Sequence, residues 1–145
     1  MIDFSRFRQS AALPYRSHKG RQQVLLITSL GTRSWIVPKG NVPPGLTAWE
    51  SAEFEALEEA GVVGVISRVS IGSFTYRKDD KLGSDMCRAK VFPLEVEDTL
   101  EIYPQAGKRE RRWMHPDKAL AHVANPSLRK VISIFVTPGR RRTVF

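Results

Sequence analysis

The chain has 145 residues, 41% of them hydrophobic and 26% charged. That is enough for one domain that buries its own core without disulfide or zinc support, and too apolar for a disordered polymer. A single cysteine, Cys87, excludes an internal disulfide, and no run approaches the roughly 18 apolar residues that cross a bilayer. The net charge of +8 favours polyanionic partners, whether nucleic acid, acidic membrane or a phosphate-dense small molecule, and does not choose among them.

Residues 1–9 read as an arm ahead of a first strand at 10–16, where Pro14 argues for an edge position. The opening residues lack the apolar core of a signal peptide, so a reducing cytoplasm is the expected compartment. A turn at 17–22 with Gly20 leads to an apolar, β-branched strand at 23–30 and a short one at 34–37. Pro38-Lys39-Gly40 then enters a Gly/Pro-rich loop. Thr47 and Glu50 form a capping box, so a helix starts at Ala48, and Gly61 stands where a left-handed C-cap belongs. At about 100° per residue, with Glu55 at zero, Glu58 falls at about −60° and Glu59 at about +40°, one anionic face. No Lys or Arg occurs between Gly40 and Val65 to offset it. Such a face is either solvated surface or a site for an external cation. With oxygen ligands only, that cation is Mg²⁺ or Mn²⁺ rather than zinc. Ala52, Ala56 and Ala60, with Trp49 and Leu57, are free to pack on a sheet.

Beyond Gly61, alternating apolar residues predict one or two strands broken at Gly64 or Gly72. A polar turn at 77–84 and a strand at 86–94 follow. Glu95, Glu97, Asp98 and Glu101 read as an acidic loop, either solvated or lending Glu95 or Glu97 to the cation site. Residues 108–114 predict a strand with Trp113 buried among Lys108, Arg109, Arg111 and Arg112. A helix at 116–124 ends at Asn125-Pro126, and a second, which Ser127 either N-caps or starts, repeats Leu128, Val131, Ile132 and Phe135 at helical spacing. Residues 138–145 read as a loose basic tail. His18, His115 and His122 have neither ligand spacing nor a nucleophile nearby.

The stretch from Gly40 to Val62 resembles the Nudix box: Gly40, Glu55, Glu58, Glu59, Gly61 and Val62 stand at matching positions, and Ala56 at the aliphatic one. Leu46 stands where the box has its first Glu, and Phe54 where it has the Arg that positions a neighbouring glutamate. The segment GKRERRWMHPDKAL, and the pairing of SAALPYR with QVLLITSLGTRSWIVPKG, resemble the diphosphoinositol polyphosphate phosphohydrolase subgroup. The resemblance implies a single Nudix domain over residues 1–145: an α/β (α+β) fold with a mixed β-sheet between helices. It implies divalent cations on Glu55, Glu58, Glu59 and the Gly40 carbonyl, with these glutamates also catalytic. It further implies phosphate contacts from Arg16, Lys39, Lys108 and Arg109, each of which reads equally as a solvated cation.

The activity this implies is Mg²⁺-dependent hydrolysis of a diphosphate linked to another group: an inositol pyrophosphate, a dinucleoside polyphosphate or a nucleoside diphosphate derivative. Phe54 removes a charge-assisted bond worth about 1.5–3 kcal/mol, about a tenfold to hundredfold slowing unless Lys39 or Arg88 substitutes, so Phe54→Arg is expected to raise turnover. Two other readings stand beside it: a phosphate-ligand-binding protein that has lost turnover, and a basic nucleic-acid-binding module. The expected partner is a phosphorylated small molecule rather than a membrane or nucleic acid, and the oligomeric state stays open.

Overall fold

The computed structural model describes residues 8–80 and 83–136, the side chains of residues 79, 80 and 83–85 excepted. The first strand, β1 (Arg8–His18), turns into β2 (Arg21–Thr28) through Lys19 and Gly20, both with positive φ (53° and 76°), the tight hairpin turn whose twist suits antiparallel strands. Two short strands follow, β3 (Trp35–Ile36) and β4 (Lys39–Asn41), and then α1 (Ala48–Glu55), which runs on into a wider π turn (Ala56–Ala60). The remaining elements are β5 (Val62–Ile66), β6 (Gly72–Asp80), β7 (Gly83–Thr99), β8 (Arg111–Met114), α2 (Pro116–His122) and α3 (Pro126–Val136).

All eight strands join one mixed sheet. β1 lies inside it, parallel to β7 along one side and antiparallel to β4 and then β2 along the other. The edge position expected from Pro14 is therefore wrong. The Ala12 N–H donates to the Pro38 carbonyl at 3.0 Å, so by strand alternation the Pro14 nitrogen faces the same side. Pairing with β4 covers Gln9–Ala11 and pairing with β2 starts at Tyr15. Pro14 thus sits where β1 changes partner, and no ladder hydrogen bond is lost. The arm at 1–9 is also shorter than expected, since Arg8 and Gln9 belong to β1; residues 1–7 and the tail at 138–145 lie outside the described residues.

The acidic stretch after Leu94 is strand, not loop. Glu95, Glu97 and Asp98 continue β7, with β5 paired alongside. Glu95 is five residues along β7 from Lys90, which is level with Ser10 and hence with Gly40, about 17 Å away at strand rise. Neither Glu95 nor Glu97 joins the loop glycine. Gly64 forms a bulge against this strand, and any side chain there would strike the Glu95 and Val96 backbone.

Alternation along β1 and β2 divides the core in two. Ala11, Leu13, Val24 and Leu26 face α2 and α3, whereas Ala12, Leu25 and Ile27 face α1. The sheet is thus sandwiched between helices, as the sequence implies. Leu128, Val131, Ile132 and Phe135 of α3 are all buried, each such side chain contributing about 1.5–3 kcal/mol. Asn125, not Ser127, caps α3: its Oδ1 accepts from the Leu128 N–H at 3.0 Å.

Candidate functional site

Local chemistry fixes both ends of α1. The Glu50 N–H donates to Thr47 Oγ1 at 3.2 Å, and Glu50 Oε1 accepts the Thr47 N–H at 2.9 Å. Gly61 closes the π turn at φ 65°. Ala52, Ala56 and Ala60 are fully buried on the sheet, letting the helix backbone approach closely. That approach presses the acidic side of the helix onto β4. Glu55 lies directly over Gly40, where a side chain would run into its carboxylate. The glycine is required by space, not by φ.

Glu59 is 8% exposed. Its Oε1 accepts the Lys39 N–H at 3.1 Å, its Oε2 lies 3.5 Å from Arg109 Nη2, and its carboxylate is hydrogen-bonded to the Glu55 carboxyl. Burial, then the negative charge of Glu59, push the Glu55 pKa up to about 8. The Glu59 pKa is also raised by burial, opposed chiefly by Arg109. At neutral pH the Glu55 carboxyl therefore keeps a proton, which its hydrogen bond shares with the Glu59 carboxyl that the fold forces beside it. Ser10, level with Gly40 and facing the same side of the sheet, is fully buried with its hydroxyl unpartnered among the described residues.

Glu58 flanks this pair, near enough to raise the Glu55 pKa further. Among the described residues, no three acidic, histidine or cysteine side chains close on a single point. The donors are nevertheless all oxygen, two of them carboxylates short of positive charge over a glycine cradle. A hard divalent cation fits this donor set, and would replace the shared proton.

Of the four basic residues named from sequence, two reach the pair. Arg109 is nearly buried; its Nε donates to Gln105 Oε1 at 2.7 Å and its Nη1 to the Thr28 carbonyl at 3.1 Å, which aims the third nitrogen at Glu59. Lys39 lies with its Nζ 4.2 Å from the Tyr76 ring centroid, its pKa lowered by burial. Arg16 is elsewhere, bonded to Gln23 at 2.9 Å and stacked 4.1 Å over Trp113. Lys108 is exposed, its carbonyl accepting from Arg33 Nη1 at 3.1 Å. Trp113 itself is only half-buried.

Phe54 is 53% exposed and Leu46 40% exposed; they line one groove with Leu57, Val62 and Val63 on the far side of α1. The cation holding a box glutamate comes instead from Arg109, fifty residues on, and not from Arg88. Sequence spacing gives no signal for that pairing, because it depends on how β8 docks beside β2. Beside Lys39 a cavity of about 590 Å³ opens, walled by Trp35, Tyr76, Lys78, Asn125 and the loop at Ser29–Ser34. No helix here is long and apolar enough to cross a membrane, among the described residues.

A mixed sheet between one acidic helix and a helix pair, with carboxylates held over a glycine bend, defines the Nudix fold. Solved structures agree. The chain is similar to an E. coli dihydroneopterin triphosphate pyrophosphohydrolase (TM-score 0.71, 17% identity, 92% of this chain and 97% of that one) and to a C. elegans Ap4A hydrolase (TM-score 0.65, 20% identity, 89% and 95%). The family model for the NUDIX domain matches residues 6–135, and the chain belongs to that family. It is 33% identical over 129 residues to Nudix hydrolase 13, mitochondrial, of Arabidopsis thaliana, covering 77% of this chain and 64% of that protein. It is 30% identical over 115 residues to diphosphoinositol polyphosphate phosphohydrolase 3-beta of Bos taurus, covering 78% and 66%. The chain spans just under two thirds of the length of the first curated relatives it matches.

Proposed function

We propose that the protein is a pyrophosphohydrolase that cleaves a diphosphate linked to another group, with Glu55, Glu58, Glu59 and the Gly40 carbonyl holding Mg²⁺, or Mn²⁺ in its place. The observation that carries this reading is the Glu55–Glu59 pair: two hydrogen-bonded carboxyls pressed together, Glu55 directly over Gly40. A bound cation supplies neutralisation of the diphosphate oxygens and acidifies the attacking water. The chain's own residues do the rest. Glu55 takes the water's proton once its own is displaced. Arg109 and the Lys39 N–H favour the ionised form of Glu59 against its burial and aim it. Lys39, with Lys78 at the cavity wall, meets phosphate oxygens not covered by the cation, and exposed Lys108, whose carbonyl accepts from Arg33, is the further candidate. Arg16, already stacked and hydrogen-bonded, drops out of the phosphate set. A cytoplasmic location belongs to the same reading. It rests on the lone cysteine, and competes with the mitochondrial designation of several relatives.

The test is a panel of inositol pyrophosphates, dinucleoside polyphosphates and nucleoside diphosphate derivatives, assayed for phosphate release with Mg²⁺ and with Mn²⁺. Release on one or more members, lost in Glu59→Gln, upholds the reading. A second reading is favoured by Leu46 and Phe54, which stand exposed where the box has charged residues: a protein that binds these ligands without turning them over. Saturable binding with no release from any member identifies it.

A further inference from the structure

The net charge of +8 is not spread evenly. Several arginines are tied down: Arg16 to Gln23, Arg109 to Glu59, Arg111 to the Ala60 carbonyl and Arg112 beside Glu110. Arg8, Arg88 and Lys90 are exposed, and their side chains have no ion-pair or hydrogen-bond partner among the described residues. They line one cleft of about 450 Å³, with Val42, Ala48 and Ser73, and among the described residues no acidic side chain lines it.

Register explains the gathering. Arg8 stands directly opposite Arg88 across the β1–β7 pair, and Lys90 opposite Ser73 across β6–β7. Alternation puts Arg8, Arg88 and Lys90 on the face of the sheet that carries α1, whose first turn contributes Ala48 and the positive end of its backbone dipole. Like charges directly opposite each other weaken a strand pair, so the arrangement opposes folding unless an anion joins it. The floor is firm. Gln9 is 5% exposed, its amide held by Asn41 at 2.9 Å and by the Tyr76 hydroxyl.

We infer that this cleft is a second anion site, separate from the carboxylate pair, that binds a small-molecule oligophosphate without a divalent metal. Two residues along a strand place Arg88 and Lys90 about 7 Å apart, with Arg8 one strand spacing, about 5 Å, to the side. That spread suits two or more linked phosphate groups better than a single monovalent anion. The site does not depend on the hydrolase reading, because its residues are neither the glutamates nor their partners.

The test is calorimetric titration of the full chain with sodium tripolyphosphate in excess EDTA. The expected result is saturable binding, weakened at least tenfold in Arg88→Ala/Lys90→Ala and changed less than twofold in Glu59→Gln. Both cleft residues are exposed, so the double variant should melt like the parent. Arg88→Lys, which keeps the charge, should retain most of the affinity and serves if the double variant fails to fold. Absence of saturable binding, equal binding by the double variant, or loss in Glu59→Gln would overturn the proposal. So would preferential binding of a single-stranded oligonucleotide through the same residues with steep salt dependence, which would assign the cleft to a nucleic-acid backbone.

Discussion

The two flanks of α1 invert the usual arrangement of a surface helix. On the flank over β4, Glu59 is buried and Glu55 half-buried; on the flank toward β5, Leu46 and Phe54 are apolar and exposed. Ordinarily burial selects apolar side chains and water selects charged ones. An inversion on both sides of one helix shows that packing did not choose these residues. The alanines hold the helix to the sheet, with Trp49 packed beside them and Ser51 bonded to the Asn41 carbonyl. The acidic flank is held in place from outside, by Arg109 and the Lys39 N–H.

The most damaging way to break that contrast is Glu59→Gln, which removes the buried charge. Turnover is expected to fall on the order of 100-fold or more, beyond the effect of losing a supporting partner alone, with the fold intact by circular dichroism. Next is Arg109→Ala, which leaves Glu59 buried and unpaired. Turnover should fall about tenfold to hundredfold, and stability by about 3 kcal/mol in urea unfolding, the cost of stranding one partner of a buried pair. If stability fell and turnover did not, Arg109 would be structural only.

The third effect is a pH dependence. In the unfolded chain Glu55 loses its proton near the usual 4.5, whereas in the folded chain it keeps it to about 8. Between those values the folded state binds more protons, so the melting temperature of metal-free protein should fall as pH rises through this window and level off above it. Glu55→Gln should flatten the profile. Mg²⁺, replacing the proton, should raise the melting temperature more at pH 8 than at pH 5. The smallest effect is expected on the other flank. Phe54→Arg should change stability by no more than about 0.5 kcal/mol, as for other exposed sites, and turnover by less than about threefold, since residue 54 lines the exposed groove on the far side of α1 from the carboxylate pair. A tenfold rise would show that the exposed flank communicates with the acidic one.

Local chemistry was readable in advance where one segment carries the whole signal. The Thr47–Glu50 box, the left-handed Gly61, the buried alanines and the α3 stripe all involve residues within a turn or two of each other. What escaped needs distant partners. Pro14 obeys the rule for edge strands until two different neighbours meet at its nitrogen. Glu95 to Asp98 look like a solvated loop until β5 pairs beside them, although Val96 between two glutamates already hinted at alternation. The tie between Arg109 and Glu59 lies outside any local pattern, because it is made by tertiary docking.

The parallel match of β1 with β7 has a bearing on how the chain is made. The strand synthesised first carries Ala11, Ala12 and Leu13, all fully buried in the finished sheet, yet the partner for that edge emerges about eighty residues later. At ribosomal speeds this is a delay of roughly 4 to 16 s, long compared with collapse of a chain this size. A nascent hairpin of β1 and β2 must therefore wait, half-covered, and any chaperone acting on this protein should be found there first.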